Sequence, residues 1–177
     1  MASLCLVPIY FSDRHAMIEL LAERISRTFS LDVHVRPPWF DPELPFDPAR
    51  GQYNSTLFLG QLLRGLDETA SRVLGITSVD LYVPVLTFVF GEAQLAGKAA
   101  VVSTHRLRNE AYGLPADDGF LMDRLGKEAV HEIGHTYGLV HCVSPTCVMR
   151  SSTYVEEIDL KSPEFCPACR EEIPRGA

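Results

Sequence analysis

The residues able to do chemistry are gathered in one run: His131-Glu132-Ile133-Gly134-His135-Thr136-Tyr137-Gly138-Leu139-Val140-His141. Residues four apart on an ideal helix differ by about 40° in azimuth, so His131 and His135 share one face and can grip one metal ion. Met122, Leu125, Ala129 and Ile133 fall roughly opposite, which divides the helix into a core face and a metal face. Gly138 is placed to take the left-handed conformation that ends a helix, and the turn it permits returns His141 as a third ligand. Three imidazoles leave one position open, the arrangement of a catalytic rather than a structural zinc. Zinc lowers the pKa of bound water from ~15.7 to about 7. Glu132, beside the first ligand, is the expected general base for that water and the proton shuttle to the leaving amine.

A second group is made of thiols. Cys142, Cys147, Cys166 and Cys169 lie close to the C-terminus, while Cys5 stands alone in an apolar run and reads as a core residue. An odd, clustered set argues against a secreted disulfide framework. Four thiolates in two short pairs suit a closed tetrahedral structural zinc, with disulfides or free thiols as the alternatives. Cys166-Pro167-Ala168-Cys169 lacks the strand–helix setting that a redox pair needs.

The pattern His-Glu-x-x-His-x-x-Gly-x-x-His resembles the metzincin zinc proteases. Those enzymes also carry a methionine turn beneath the zinc, and Met149 follows His141 by eight residues. Cys142 directly after the last histidine, then Cys147-x-Met149 and the final Cys166-x-x-Cys169, narrow the resemblance to the archaemetzincins. The resemblance implies an α+β, metzincin-like zincin. It has a twisted mixed β-sheet, backing helices, an active-site helix, and a small zinc-bound C-terminal lobe. It also implies a zinc-dependent metallopeptidase with two zinc ions per chain. His131, His135 and His141 would hold the catalytic ion and the four cysteines the structural one. The alternative is a zinc-stabilised peptide-binding module whose catalytic metal is weak or absent.

Other elements must position these residues. Residues 2–10 read as a buried strand. A helix follows to about residue 29, capped by Ser12 with Asp13 in its first turn, and built on Ala16, Met17, Leu20, Leu21, Ile25 and Phe29. Asp32–Arg36 is a short strand, giving a strand–helix–strand opening. Five prolines in 37–50 make that stretch a loop, either pinned to the core by Trp39, Phe40 and Phe46 or serving as a flap beside a cleft. A second helix is expected over 55–70. Strands are expected at 73–77, 79–83, 86–90 and 99–104, with turns at Gly91 and Gly97. Ala99–Thr104 is the expected cleft-lining edge strand, with Leu86–Phe90 as its competitor. Asp117 or Asp118 caps the third helix. Residues 1–141 form the expected catalytic unit and 142–177 the cysteine-bound one.

Composition closes off several classes. Hydrophobic residues at 46% and charged residues at 22% of 177 fit an ordinary globular core. Sixteen Lys and Arg against 23 Asp and Glu give a net charge of -7, which disfavours nucleic acid as a partner. No apolar run approaches bilayer length, and the N-terminus lacks the basic region of a signal peptide, so a cytoplasmic location without membrane partners is expected. No pro-segment is visible ahead of the first strand. The expected partner is a peptide or protein substrate. Tyr137 and Tyr154 are candidates to steady a developing oxyanion, and Arg106 and Arg108 to meet an acidic substrate group.

Overall fold

The computed structural model of the chain describes residues 2–11, 14–67 and 70–174. Strand β1 (Ser3–Ile9) buries Leu4, Leu6, Val7 and Ile9 completely, so both of its faces are covered. Continuous apolar runs of this kind belong to parallel strands packed between helices. Helix α1 (His15–Phe29) lays Met17, Ile18, Leu21, Ile25 and Phe29 into the core, while Leu20 faces solvent at 53% exposure. The expected cap at Ser12 and Asp13 lies outside the described residues. Strands β2 (Asp32–Val35) and β5 (Arg72–Thr77) both pair with β1 in parallel. Strand β8 (Ala99–Ser103) pairs with β5 in parallel, and β7 (Gly91–Ala93) closes the sheet by antiparallel pairing with β8. The order β2-β1-β5-β8-β7 is therefore a mixed sheet, as the resemblance implied.

Two expectations about its edge are corrected. Ala99–Ser103 is not an edge strand: all five residues are buried between β5 and β7. Nor does Leu86–Phe90 supply the edge; it is irregular, held by Val89 N–H donating to the Leu81 carbonyl at 2.9 Å. The edge is β7, three residues that read as a turn because they contain Gly91. A short polar strand is a common way to end a sheet without inviting aggregation.

A small second sheet joins β3 (Phe46–Asp47), β4 (Gln52–Asn54) and β6 (Leu81–Tyr82). Helix α2 (Ser55–Arg64) starts from an Asn54 cap and stops at Gly65, short of the expected residue 70. Trp39 packs so closely on Gly65 that a Cβ there would lie 2.1 Å from its ring, and the Trp39 indole N–H donates to the Gln61 carbonyl at 3.1 Å. The proline-rich loop is thus pinned by its aromatics, and none of it lines the cleft described below.

Helix α3 (Asp118–Thr136) begins at Asp117, whose carboxylate accepts from Phe120 N–H at 2.9 Å. Leu121, Leu125, Ala129 and Ile133 pack with α1 on one face of the large sheet, and α2 covers the other face with Phe58, Leu59 and Leu62. The short helices α4 (Val155–Leu160) and α5 (Pro167–Glu172) follow. Their Val155, Ile158 and Cys169 join the same core cluster as α1 and α3. Among the described residues, no helix is long and apolar enough to cross a membrane.

Candidate active site

Helix α3 carries His131, Glu132 and His135 into a cleft of about 610 Å³, whose opposite wall is β7 and the irregular segment before it. The His131 and His135 rings are fixed from behind. Nδ1 of His131 lies 2.9 Å from the Val148 carbonyl, and Nδ1 of His135 lies 2.7 Å from the Leu139 carbonyl. A carbonyl only accepts, so each Nδ1 carries the proton and each Nε2 is left with a bare lone pair. Those two Nε2 atoms face each other at 3.1 Å. Two acceptors so close have no mutual bond to make; a cation between them resolves the arrangement.

Gly138, at φ +96°, takes the left-handed turn that the sequence called for. It returns His141 to the site, with ring centroids 5.3 Å from His131 and 5.1 Å from His135. One ring nitrogen from each of the three histidines can be chosen so that all lie within 4.8 Å of one another. Burial, reinforced by the positive charge of Lys161, pushes His131 well below the usual histidine range, and burial also lowers His135 and His141. Neutral imidazoles are the form that ligates metal. The donor set, tautomers and protonation all fit a divalent ion such as zinc.

Met149 sits beneath this group, fully buried. A Cβ at Gly134 would lie 2.5 Å from its sulfur, so the helix needs glycine where the methionine packs. Cys142 N–H donates to the Met149 carbonyl at 3.0 Å, which ties the chain after His141 to the same turn. Glu132 is 6% exposed, and burial together with the charge of Glu128 raises its carboxyl well above the usual range. It lies against Gly91, where a Cβ would come 2.8 Å from Oε1.

The four C-terminal cysteines converge as well. Their sulfurs lie within 4.8 Å of one another, and all are free thiols. Cys142 and Cys166 are 3.8 Å apart, far beyond a disulfide's ~2.05 Å but matching the edge of a tetrahedron with Zn–S of about 2.3 Å. Ser144 N–H donates to the Cys142 sulfur at 3.4 Å and Cys166 N–H to that of Cys147 at 3.3 Å. The Cys166 thiol is lowered to about 7, first by a backbone hydrogen bond from Cys169. Burial pushes the Cys147 and Cys169 thiols up, so the fit to zinc rests on the geometry: four sulfurs at tetrahedral spacing, supplied with N–H donors.

Other candidates fall away from the cleft. Tyr137 stacks on Phe29 at 5.4 Å with the Arg72 guanidinium 3.5 Å from its ring centroid. Tyr154 is 67% exposed and begins α4. Arg106 is committed to Asp80 through two hydrogen bonds, at 2.9 and 2.6 Å, and Arg108 leans on His105. Cys5 is a buried residue of β1. Sequence reasoning missed the contact of Gly91, read there only as a turn, the close approach at Gly134, whose only signal was a glycine inside the motif, and the buried Glu128–Lys161 pair at 3.2 Å.

The profile of Peptidase family M54 matches residues 50–175. The chain belongs to this family. Among its M54 relatives, the archaemetzincin of Methanopyrus kandleri is 41% identical over 177 residues, spanning 98% of this chain and 96% of its own. A crystal structure of archaemetzincin from that organism superposes with a TM-score of 0.85 at 38% identity, covering 99% of this chain and 94% of its own. A zinc-dependent peptidase from Methanocorpusculum labreanum superposes with a TM-score of 0.83 at 31% identity, covering 97% and 100%. Family membership and the histidine and cysteine groups together make this M54 chain a zinc metalloprotease.

Proposed function

We propose that the cleft hydrolyses an extended peptide, with His131, His135 and His141 holding the catalytic zinc and Glu132 acting as general base. Cys142, Cys147, Cys166 and Cys169 hold a second, structural zinc. The observation that carries this reading is the pair of bare Nε2 lone pairs facing each other at 3.1 Å, with Glu132 in the same cleft. A zinc ion bound there supplies Lewis-acid activation of water and of the scissile carbonyl.

The chain's own residues do the rest. Phe90 and Gln94 bond across to β8, through Ser103 N–H to the Phe90 carbonyl and Gln94 N–H to the Ala99 carbonyl, at 2.8 and 3.0 Å. The antiparallel alternation therefore turns the backbone groups of Gly91 and Ala93 away from β8, toward the free edge. An extended substrate adds to that edge as a further strand, which presents its backbone carbonyls to the histidines. Glu132 takes the proton from the attacking water and passes it to the leaving amine. Val148 and Leu139 keep the His131 and His135 rings from rotating between turnovers.

Glu132→Gln tests the base directly. Hydrolysis of a susceptible peptide should fall at least about a hundredfold, with two zinc ions per chain retained by metal analysis. Turnover at the parent rate refutes the role. A count of one zinc in the parent protein favours a peptide-binding module.

A further inference from the structure

The two ends of the cleft are unlike. Toward the C-terminal end of α3 it is bounded by Leu95 and Val140, at 58% and 64% exposure. At the other end, one helical turn before His131, it is bounded by Glu128 and by the segment that follows Met149, including Ser152. That second end is polar, with Ser151 and Thr153 exposed at its rim and the Glu128 side buried. Glu128 is 4% exposed and Lys161 is 3% exposed. Lys161 Nζ donates to Glu128 Oε1 at 3.2 Å, and no other hydrogen bond to that carboxylate is found among the described residues. The Ser152 hydroxyl oxygen is buried and has no partner among them. Phe88 and Phe90, edge to face at 5.3 Å, contribute apolar wall.

Each class of side chain meets this end differently. Glu128 and Lys161 already neutralise one another, so a cation entering beside them meets the lysine and an anion meets the glutamate, neither with a counter-ion of its own. An aliphatic group displaces solvent and leaves the Ser152 hydroxyl unpaired. A carboxamide brings no net charge. Its N–H₂ donates to the carboxylate, its carbonyl accepts from the hydroxyl, and its methylene stem lies against the phenyl rings.

We propose that the end of the cleft formed by Glu128 and Ser152 is a specificity pocket for a carboxamide side chain, glutamine or asparagine, on a residue flanking the bond to be cut. The inference rests on the peptidase reading above and deepens it by naming what the site selects.

The test is a peptide library randomised around a central position, incubated with zinc-loaded protein, with the cleavage sites read by mass spectrometry. Glutamine and asparagine should be enriched at one position adjacent to the cleaved bond. Their kcat/KM should exceed that of leucine, lysine and glutamate counterparts by roughly tenfold to a hundredfold. Ser152→Ala should shrink the glutamine-to-leucine ratio about tenfold, the worth of one buried hydrogen bond. Glu128→Gln strips Lys161 of its partner and so confounds folding with recognition. A binding arm uses the Glu132→Gln protein, in which the glutamine peptide should outbind its leucine counterpart by calorimetry. Equal affinities, cleavage without preference at that position, or a preference for apolar or charged groups overturns the pocket and leaves the peptidase reading standing. No cleavage of any peptide by zinc-loaded protein overturns both.

Discussion

Gly91→Ala probes how tightly Glu132, the proposed general base, is held. A Cβ at Gly91 lies 2.7 Å from the Val101 carbonyl oxygen and 2.8 Å from both Cγ and Oε1 of Glu132. Ordinary contact begins near 3.4 Å, so the neighbours must yield by about 0.6 Å. Val101 belongs to an interior strand and is fully buried, hydrogen-bonded into the sheet from both sides. Glu132 ends in the cleft, so its carboxylate gives way, and the clash with the Val101 carbonyl is relieved by a shift of the edge strand β7 itself. A misplacement of ~1 Å at a reacting group costs on the order of a hundredfold in rate, so the shift expected here lowers kcat roughly tenfold to a hundredfold. Overpacking adds about 1–3 kcal/mol of destabilisation, which leaves enough folded protein to assay. The three histidines are not touched, so zinc content should stay at the parent level. Steady-state kinetics on a cleaved peptide, metal content and thermal unfolding are measured on the same preparation. A folded variant with parental kcat refutes the assignment of Glu132 to this contact. Loss of zinc would show instead that the clash passes through to the histidines.

Three further outcomes follow from the surroundings of the site. Lys161→Met leaves Glu128 buried without its partner and should cost about 3–5 kcal/mol in urea unfolding, much of it recovered in the Lys161→Met/Glu128→Leu double variant; additivity of the two changes would contradict the pairing. Cys166→Ser should lower the zinc count by one and depress the unfolding temperature, and an unchanged count would remove the sulfur site from the reading. Burial pushes the Asp80 carboxyl up, but the Arg106 and Gln52 donors outweigh it and hold it below the usual range. A depressed carboxyl contributes stability above its unfolded value of about 3.9 and loses it as the pH falls through the lower folded value. The stability gap between the parent and Arg106→Met should therefore be wide at pH 7 and narrow near pH 3, whereas a constant gap would deny the Asp80 pairing.

The parts of the site that are local in sequence were legible there. His131 and His135 share a face because helical pitch dictates it, and Gly138 turns the chain because little else tolerates φ +96°. The cysteines were legible because thiols grouped in two short pairs carry the spacing of a metal-binding set. What escaped depended on partners distant in the chain. β7 is too short to carry a period-two pattern, and its strand character comes from pairing with β8. The run from Ala99 looked like an edge because one strand's composition does not tell how many neighbours it has; its burial on both faces comes from β5 and β7. Lys161 lies 33 residues beyond Glu128, and only the packing of α4 against α3 makes them a pair. Tyr137 lies within the motif in sequence, yet the end of the helix turns it toward Phe29 and Arg72.

His141 and Cys142 are consecutive, and Val148, which orients the His131 ring, follows Cys147. The histidine cluster and the sulfur cage are therefore hung on the same few peptide units. An inserted residue between 141 and 149 would unseat both at once, whereas the segment before β7 can lengthen without disturbing either. Length variation in relatives should accumulate on the rim across from α3, and the short span linking the two clusters should hold its spacing.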